Sequence, residues 1–103
     1  MSMVKVSQLS EEQLESLRSV ARALSYFVRN KVYSYVDRLA NAFSISSVRQ
    51  VLSEALRDLK SEKDRGEDVW LPKSSDVETL LKLAEADPSV LKVLASMSIA
   101  MGW

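Results

Sequence analysis

The chain has 103 residues, with 14 basic and 14 acidic side chains, 47% hydrophobic residues, two glycines, two prolines, and neither cysteine nor histidine. This length suits one domain, and the scarcity of turn residues favours helices over a sheet of short strands. The missing cysteine and histidine exclude disulfides, thiolate metal sites and cysteine nucleophiles, and they remove the most common general base. We therefore expect an all-α protein, a compact bundle of four to five helices in a single domain.

The first predicted helix begins directly after Ser10, which follows a short polar arm. Ser10 and Gln13 have the spacing of a capping box, and apolar residues then recur at steps of three and four over residues 14–28. The pattern weakens near Lys31 and then resumes. Residues 11–42 are therefore either one long helix or two helices joined by a kink.

A serine-rich segment at residues 44–47 predicts a break and a cap before an amphipathic helix over residues 48–59. With this helix, the N-terminal helical part spans residues 11–63. Residues 64–74 show no sustained period and contain a glycine and a proline, so we predict a long loop. Its apolar anchor is Val69, Trp70 and Leu71.

The C-terminal part, residues 75–103, predicts a helical hairpin. Ser75 and Glu78 have the spacing of a second capping box. Asp87 and Pro88 predict a new start, with the aspartate as cap and the proline at the first helical position. A hairpin of about thirty residues is too small to fold alone, so we treat the whole chain as one domain.

A basic run is the most informative feature of the charge distribution. From Arg18 to Arg49 there are six basic residues and one acidic residue, Asp37. Helical geometry places Arg18, Arg22 and Arg29 within about 40° of one another, beside the apolar arc. Such a face predicts contacts with a phosphate backbone, while nearby tyrosines would stack on bases or contact proteins. The candidate nucleic-acid-binding residues are Arg18, Arg22, Arg29, Lys31 and Arg38.

The alternative for this run is a solvated helix face. Its arginines would then pair with acidic residues of neighbouring helices, and its aromatic side chains would fill the core. A chain without net charge also differs from dedicated nucleic-acid binders, which are usually basic overall.

The last fourteen residues, 90–103, contain one charged side chain, Lys92, and end in an apolar segment. This segment either completes the core or forms an adaptable surface for a partner subunit or a second copy of the chain. It is too short to anchor the protein in a membrane. The candidate partner-binding residues are Tyr33, Tyr35, Met97, Met101 and Trp103.

The sequence gives little support for catalysis, metal binding or cofactor binding. The carboxylates Asp64, Glu67 and Asp68 do not have the spacing of a calcium loop and are interleaved with basic residues, so we expect a solvated loop and no metal site. Two distant glycines do not make a phosphate-binding loop, and we expect no cofactor and no small-molecule substrate. We therefore expect a protein that is not an enzyme. Residues 1–7 lack the apolar core of a signal peptide, which predicts a cytoplasmic protein.

Three parts of the sequence form a pattern that is found in a known family: Ser25-Tyr26-Phe27, Tyr33-Ser34-Tyr35-Val36-Asp37-Arg38-Leu39-Ala40-Asn41-Ala42, and Val51, Ala55 and Leu56. With these residues the chain resembles the small subunit of archaeal type I-A CRISPR Cascade complexes. The resemblance implies a helical, non-catalytic subunit, present in several copies in an RNA-guided antiviral complex. Such a subunit would contact other protein subunits and help to hold single-stranded DNA or a guide–target duplex through its backbone.

Two other functions compete with this one. The first is a helical protein-interaction or assembly module without a nucleic-acid role, which would use the apolar C-terminal segment and the tyrosines as contact surfaces. The second is a helix-turn-helix regulator that reads DNA with residues 48–59. This function ranks last, because Glu54 and Asp58 would face the phosphates.

Overall fold

The computed structural model describes residues 8–103, which form five α-helices and no β-strand. This confirms the predicted all-α bundle in one globule. Residues 1–7 of the polar arm predicted before Ser10 lie outside the described residues. The helices are α1 (Glu11–Arg29), α2 (Ser34–Ala40), α3 (Ile45–Asp64), α4 (Ser74–Ala86) and α5 (Val90–Gly102).

Helix α1 begins where the sequence predicts. The Ser10 hydroxyl oxygen accepts a hydrogen bond from the Gln13 amide at 3.1 Å, and the Gln13 side-chain oxygen accepts one from the Ser10 amide at 2.9 Å. This capping box satisfies two N–H groups that have no partner inside the helix. The apolar side of α1 packs mainly against α5 and α4. Helix α1 is therefore the central element of the bundle.

The chain turns sharply after α1, which decides the open alternative in favour of two helices. The Val32 amide donates to the Phe27 carbonyl oxygen at 2.8 Å, and the Lys31 amide donates to the Val28 carbonyl oxygen at 3.0 Å. These two bonds define a Schellman motif, which ends a helix with one residue in the left-handed conformation. Lys31 is that residue, with φ of 62°, although a side chain with a Cβ rarely adopts this conformation.

Helix α3 begins at the serine-rich segment, as the sequence predicts. The Ser44 hydroxyl oxygen accepts a hydrogen bond from the Ser47 amide at 3.1 Å. The helix ends in the same pair of backbone bonds as α1, and here Gly66 occupies the left-handed position, with φ of 93°. Residues 65–73 then cross to α4 without regular structure.

Helix α4 begins at Ser74, so the capping box predicted for Ser75 and Glu78 is wrong. Asp76 closes the cap instead, because its carboxylate accepts a hydrogen bond from the Lys73 amide at 3.3 Å. The same carboxylate accepts a hydrogen bond from the Ser16 hydroxyl of α1 at 3.0 Å. This tertiary contact favours the start at Ser74, and it was not visible in the local sequence pattern.

Helix α5 begins at Val90 after a tight turn. The Asp87 carboxylate accepts a hydrogen bond from the Ser89 amide at 3.0 Å within this turn. The N-cap residue of α5 is Ser89, whose side chain makes no capping hydrogen bond, so the prediction that Asp87 caps this helix is wrong. Pro88 lies in the turn and not at the first helical position, which corrects that prediction.

The hydrophobic core draws on every helix of the bundle. Its largest fully buried side chains are Leu17, Leu24, Leu39, Leu52, Leu59, Leu80 and Leu94. The end of α5 closes this core against α1, where a Cβ added at Gly102 would lie 2.5 Å from the Cβ of Val28. Only glycine permits so close an approach, so Gly102 fixes how α5 lies on α1.

Candidate nucleic-acid interface

Three arginines of α1 lie on one exposed side of the helix, as the sequence predicts. Arg18 and Arg22 line one surface cavity, and Arg22 and Arg29 line a second cavity. All three side chains are exposed, because the opposite side of α1 carries the apolar residues that enter the core. We call these three residues the arginine face.

Trp70, from the irregular segment between α3 and α4, lies on the arginine face and borders both cavities. The guanidinium carbon of Arg22 lies 4.2 Å from the centroid of the Trp70 ring, which is a close cation–π contact. The indole N–H donates a hydrogen bond to the Ser19 hydroxyl oxygen at 2.9 Å. The indole is 41% exposed, so it is held in place and still open to solvent.

The sequence interpretation missed this role of Trp70, which it treated as part of an apolar anchor. The tryptophan and its partners on α1 are about fifty positions apart in the sequence. No periodicity links residues at that distance, so only the tertiary structure brings them together. Val69 and Leu71, on either side, are partly buried against the core, which explains how a loop without regular structure positions the ring.

The larger of the two cavities has a volume of about 430 Å³. Lys73 adds a third cation beside Arg18 and Arg22, and Met101 supplies an apolar wall. Two carboxylates, Glu15 and Asp76, also line it. Glu15 forms an exposed and long ion pair with Arg18, at 3.8 Å, while Asp76 is engaged by α1 and by its own helix cap. The cavity therefore carries a small excess of positive charge.

The remaining two basic candidates do not line these cavities. Arg38 forms a two-pronged ion pair with Glu54 of α3, at 2.9 and 3.3 Å. This hydrogen bonding raises the pKa of Arg38 and lowers the pKa of Glu54. Lys31 is exposed in the turn after α1. The basic run is thus divided: the arginine face is open, whereas Arg38 pairs with a neighbouring helix, as the alternative interpretation proposed.

The tyrosines lie towards α2 and α3, and Tyr26 borders the arginine face, since the guanidinium carbon of Arg29 lies 6.0 Å from the centroid of its ring. The Tyr26 hydroxyl donates to the Glu62 carboxylate at 3.0 Å, and the Tyr35 hydroxyl donates to the Asp58 carboxylate. We call these four residues the tyrosine–carboxylate cluster. They line an open cavity of about 590 Å³ between α1, α2 and α3. Tyr33 lies apart from the cluster and is 39% exposed.

Burial and the hydrogen bond to Asp58 raise the pKa of Tyr35 to about 12. Burial and the hydrogen bond to Glu62 also raise the pKa of Tyr26. Both phenols are therefore neutral donors at physiological pH. Of the two predicted partner-binding tyrosines, Tyr35 is engaged inside the molecule and Tyr33 is open to solvent.

The apolar C-terminal segment is divided between the core and the surface. Residues of α5 such as Leu91 and Leu94 are buried in the core. The three predicted partner-binding residues of this segment lie towards the surface: Met97 is partly buried, Met101 is 40% exposed and Trp103 is 86% exposed. Phe43, which the sequence analysis did not select, is fully exposed in the turn between α2 and α3.

Among residues 8–103, no group of three or more carboxylate side chains is placed to hold a metal ion. Within the same residues, none of the helices combines the length and apolar character needed to cross a membrane.

Comparison with known protein families gives a match to this chain. A family model described as CRISPR-associated protein (Cas_Csa5) matches residues 23–93, which is more than half of the chain. The matched region includes Arg29, Trp70 and Lys73, whereas Arg18 and Arg22 precede it. No curated protein and no solved structure matches the chain.

Proposed function

We propose a function that follows from the family to which this chain belongs, the CRISPR-associated Csa5 family of type I-A small subunits. The protein is a non-catalytic subunit of an RNA-guided antiviral complex in the archaeal cytoplasm. In this complex it contacts neighbouring protein subunits and binds nucleic-acid backbones weakly and without sequence preference. The guide RNA reads sequence by base pairing, so the small subunit has only to hold strands in place.

The observation that carries the nucleic-acid part of this proposal is the open arginine face. Arginine offers a planar fork of donors that fits phosphate oxygens, and three such groups along one helix follow a backbone. Arg18, Arg22 and Arg29 are exposed, and the one ion pair that this face forms within residues 8–103 joins Arg18 to Glu15 in solvent, where it contributes little. These cations are therefore available to phosphates at low cost.

One copy of the subunit should bind weakly, because three phosphate contacts supply a modest, salt-sensitive affinity. Several copies in one complex would bind the same strand much more tightly, since each further site acts at a high effective concentration once the first is engaged.

The non-catalytic part of the proposal rests on composition, because the chain has no histidine and no cysteine. The polar contacts of tyrosines such as Tyr26 and of Arg38 are hydrogen bonds and ion pairs that stabilise the fold.

Fluorescence anisotropy of a labelled oligo(dT) strand, titrated with the purified protein at low and moderate salt, tests the proposal. The first variant replaces Arg18, Arg22 and Arg29 with alanine. A matched control replaces Lys60, Lys82 and Lys92, which are exposed on α3, α4 and α5, and therefore removes the same charge elsewhere. We expect the first variant to lose about tenfold or more in affinity and the control to lose a few-fold at most.

Salt dependence supplies a second readout from the same titration. Each phosphate contact with a single strand contributes about 0.7 to the slope of log affinity against log salt, so the first variant should lose up to about 2 units of slope. Equal losses in the two variants would show that net charge, and not the arginine face, determines binding. Wild-type protein that does not bind even at low salt would overturn the nucleic-acid part altogether.

A second candidate function is an assembly module without a nucleic-acid role. The observation that favours it is the exposure of large apolar side chains at both ends of the bundle, Phe43 completely and Trp103 by 86%. Apolar association is maintained or strengthened by salt, whereas phosphate binding weakens. Association that persists at high salt, in a protein that does not bind oligo(dT) at low salt, would support this function over the first.

A further inference from the structure

The larger cavity of the arginine face has features of a ligand site that a plain basic surface lacks. It combines a fixed aromatic ring, Trp70, with an apolar wall, Met101, and three cations. Its volume of about 430 Å³ falls in the range of about 300–1,000 Å³ that is typical of small-molecule sites. Phosphates alone need neither the ring nor the apolar wall.

The indole of Trp70 is held in one orientation. The contact with Arg22 at 4.2 Å and the hydrogen bond to Ser19 at 2.9 Å fix it from two sides. A ring that is already ordered in the free protein loses little entropy when a ligand stacks on it. Because its N–H is used by Ser19, the indole has no donor left to distinguish one base from another. It can offer only its aromatic surface.

We propose that this cavity is a single-nucleotide site, in which one unpaired base stacks on the exposed surface of Trp70 while Arg18 and Lys73 bind the adjacent phosphate. The proposal rests on the proposed nucleic-acid function and assigns it a base-contacting residue. Every base has an aromatic face, so stacking adds affinity without sequence preference. It also adds a preference for unpaired strands, because bases inside a duplex are already stacked on their neighbours.

The charges of the cavity suit a phosphodiester. Its cations are Arg18, Arg22 and Lys73, and its carboxylates are Glu15 and Asp76. The Asp76 carboxylate is directed towards the Ser16 hydroxyl and the Lys73 amide, which leaves Glu15 as the main opposing charge. The balance is one excess positive charge, which matches the single negative charge of one nucleotide unit in a strand.

The chain contains two tryptophans, which makes the test direct. Trp103→Phe leaves Trp70 as the only tryptophan, and Trp70→Phe leaves Trp103, so each ring can be followed alone. Each variant is titrated at low salt with oligo(dT) and with an abasic strand of the same length, which has the same phosphates but no bases. Circular dichroism and thermal unfolding of each variant confirm that the fold is retained.

We expect oligo(dT), but not the abasic strand, to quench the emission of Trp70, and we expect the emission of Trp103 to stay constant. Stacking predicts that oligo(dT) binds about 5-fold to 100-fold more tightly than the abasic strand. Trp70→Leu, which keeps an apolar side chain and removes the ring, should lose most of that difference.

Failure of this inference can be told apart from failure of the proposed function. Equal binding of the two strands, with Trp70 emission unchanged, would overturn the nucleotide site and leave the phosphate contacts intact. Binding of neither strand would overturn both. Quenching of Trp103 in place of Trp70 would move base contact to the C-terminal end and would also overturn the site proposed here.

Discussion

The bundle carries two adjacent polar surfaces, which we call its two flanks, that use similar residues in opposite ways. On one flank, the arginine face leaves three guanidinium groups open to solvent beside Trp70. On the other, the tyrosine–carboxylate cluster joins Tyr26 and Tyr35 to acidic side chains of α3. The first flank is available to a ligand, whereas the second stabilises the protein's own fold. A basic, tyrosine-rich segment is therefore not one functional surface.

The difference comes from what lies opposite each flank. Helix α3 carries Glu54, Asp58 and Glu62 at steps of four, so these three carboxylates lie along one side of the helix. That side faces α1 and α2, where it pairs with Arg38 and the two tyrosines. The arginine face instead meets the segment between α3 and α4, which presents an aromatic ring to it.

The largest change in stability should come from disturbing the packing of α5 on α1. Gly102→Ala adds a Cβ that would meet Val28 at 2.5 Å, so α5 must shift on α1. Overpacking of this kind costs about 1–3 kcal/mol of unfolding free energy. Chemical denaturation measures it, and Ala100→Ser, on the exposed side of α5, is the control. Unchanged stability in Gly102→Ala would show that the end of α5 does not fix α1.

Breaking the tyrosine–carboxylate cluster should have the next largest effect. Tyr35→Phe removes the donor to Asp58, and we expect a loss of about 1–2 kcal/mol in unfolding free energy. Tyr33→Phe, at an exposed position, should change it by less than about 0.5 kcal/mol. Equal effects of the two substitutions would show that the hydrogen bond of the Tyr35 hydroxyl does not stabilise the fold.

The same cluster predicts a dependence on alkaline pH. The pKa of Tyr35 is about 12 in the folded protein and 10.0 for an unperturbed tyrosine, so folding favours the neutral phenol. This contribution is fully present below pH 10.0 and is lost as the pH rises to about 12. Stability curves over this window should fall less steeply for Tyr35→Phe than for the wild-type protein. Parallel curves would contradict the prediction.

A smaller, stabilising effect on the unfolding free energy is expected at the C-terminal ends of α1 and α3. Lys31 and Gly66 occupy the same position in two Schellman motifs, but only Gly66 adopts a positive φ without a steric cost. Lys31→Gly should therefore raise the unfolding free energy by about 0.5–1 kcal/mol. Lys60→Gly, in the interior of α3, should lower it by a similar amount and serves as the control. A loss of stability in Lys31→Gly would show that the lysine side chain makes a stabilising contact.

The smallest predicted difference in stability is between alanine substitutions of two arginines. Arg38→Ala breaks the two-pronged pair with Glu54 and should lower the melting temperature slightly, whereas Arg18→Ala breaks one long, exposed pair and should leave it almost unchanged. Thermal unfolding at low salt measures both. Because Glu54 has a lowered pKa, the contribution of its pair is present at neutral pH and is lost as the pH falls through that pKa. Equal costs for the two arginines would remove the distinction between the flanks.

Short-range signals in the sequence determined much of this protein. The Ser10–Gln13 box, the serine-rich cap of α3 and the apolar steps of three and four predicted the main helices, since caps and periodicity act within one or two turns. Helical spacing alone also placed Arg18, Arg22 and Arg29 on one side of α1. The residues around Tyr33 and Tyr35 indicated the family that the family model then matched.

The tertiary structure decided what those residues can do. It paired Arg38 with Glu54, bound Tyr35 to Asp58, and moved the start of α4 to Ser74 through a contact with α1. It also placed Trp70 on the arginine face, across about fifty positions of sequence. Charge pairing and stacking depend on distances in space between helices, and such distances are set by packing of the whole core. A local pattern can place a residue on a face, but only the fold decides what that face meets.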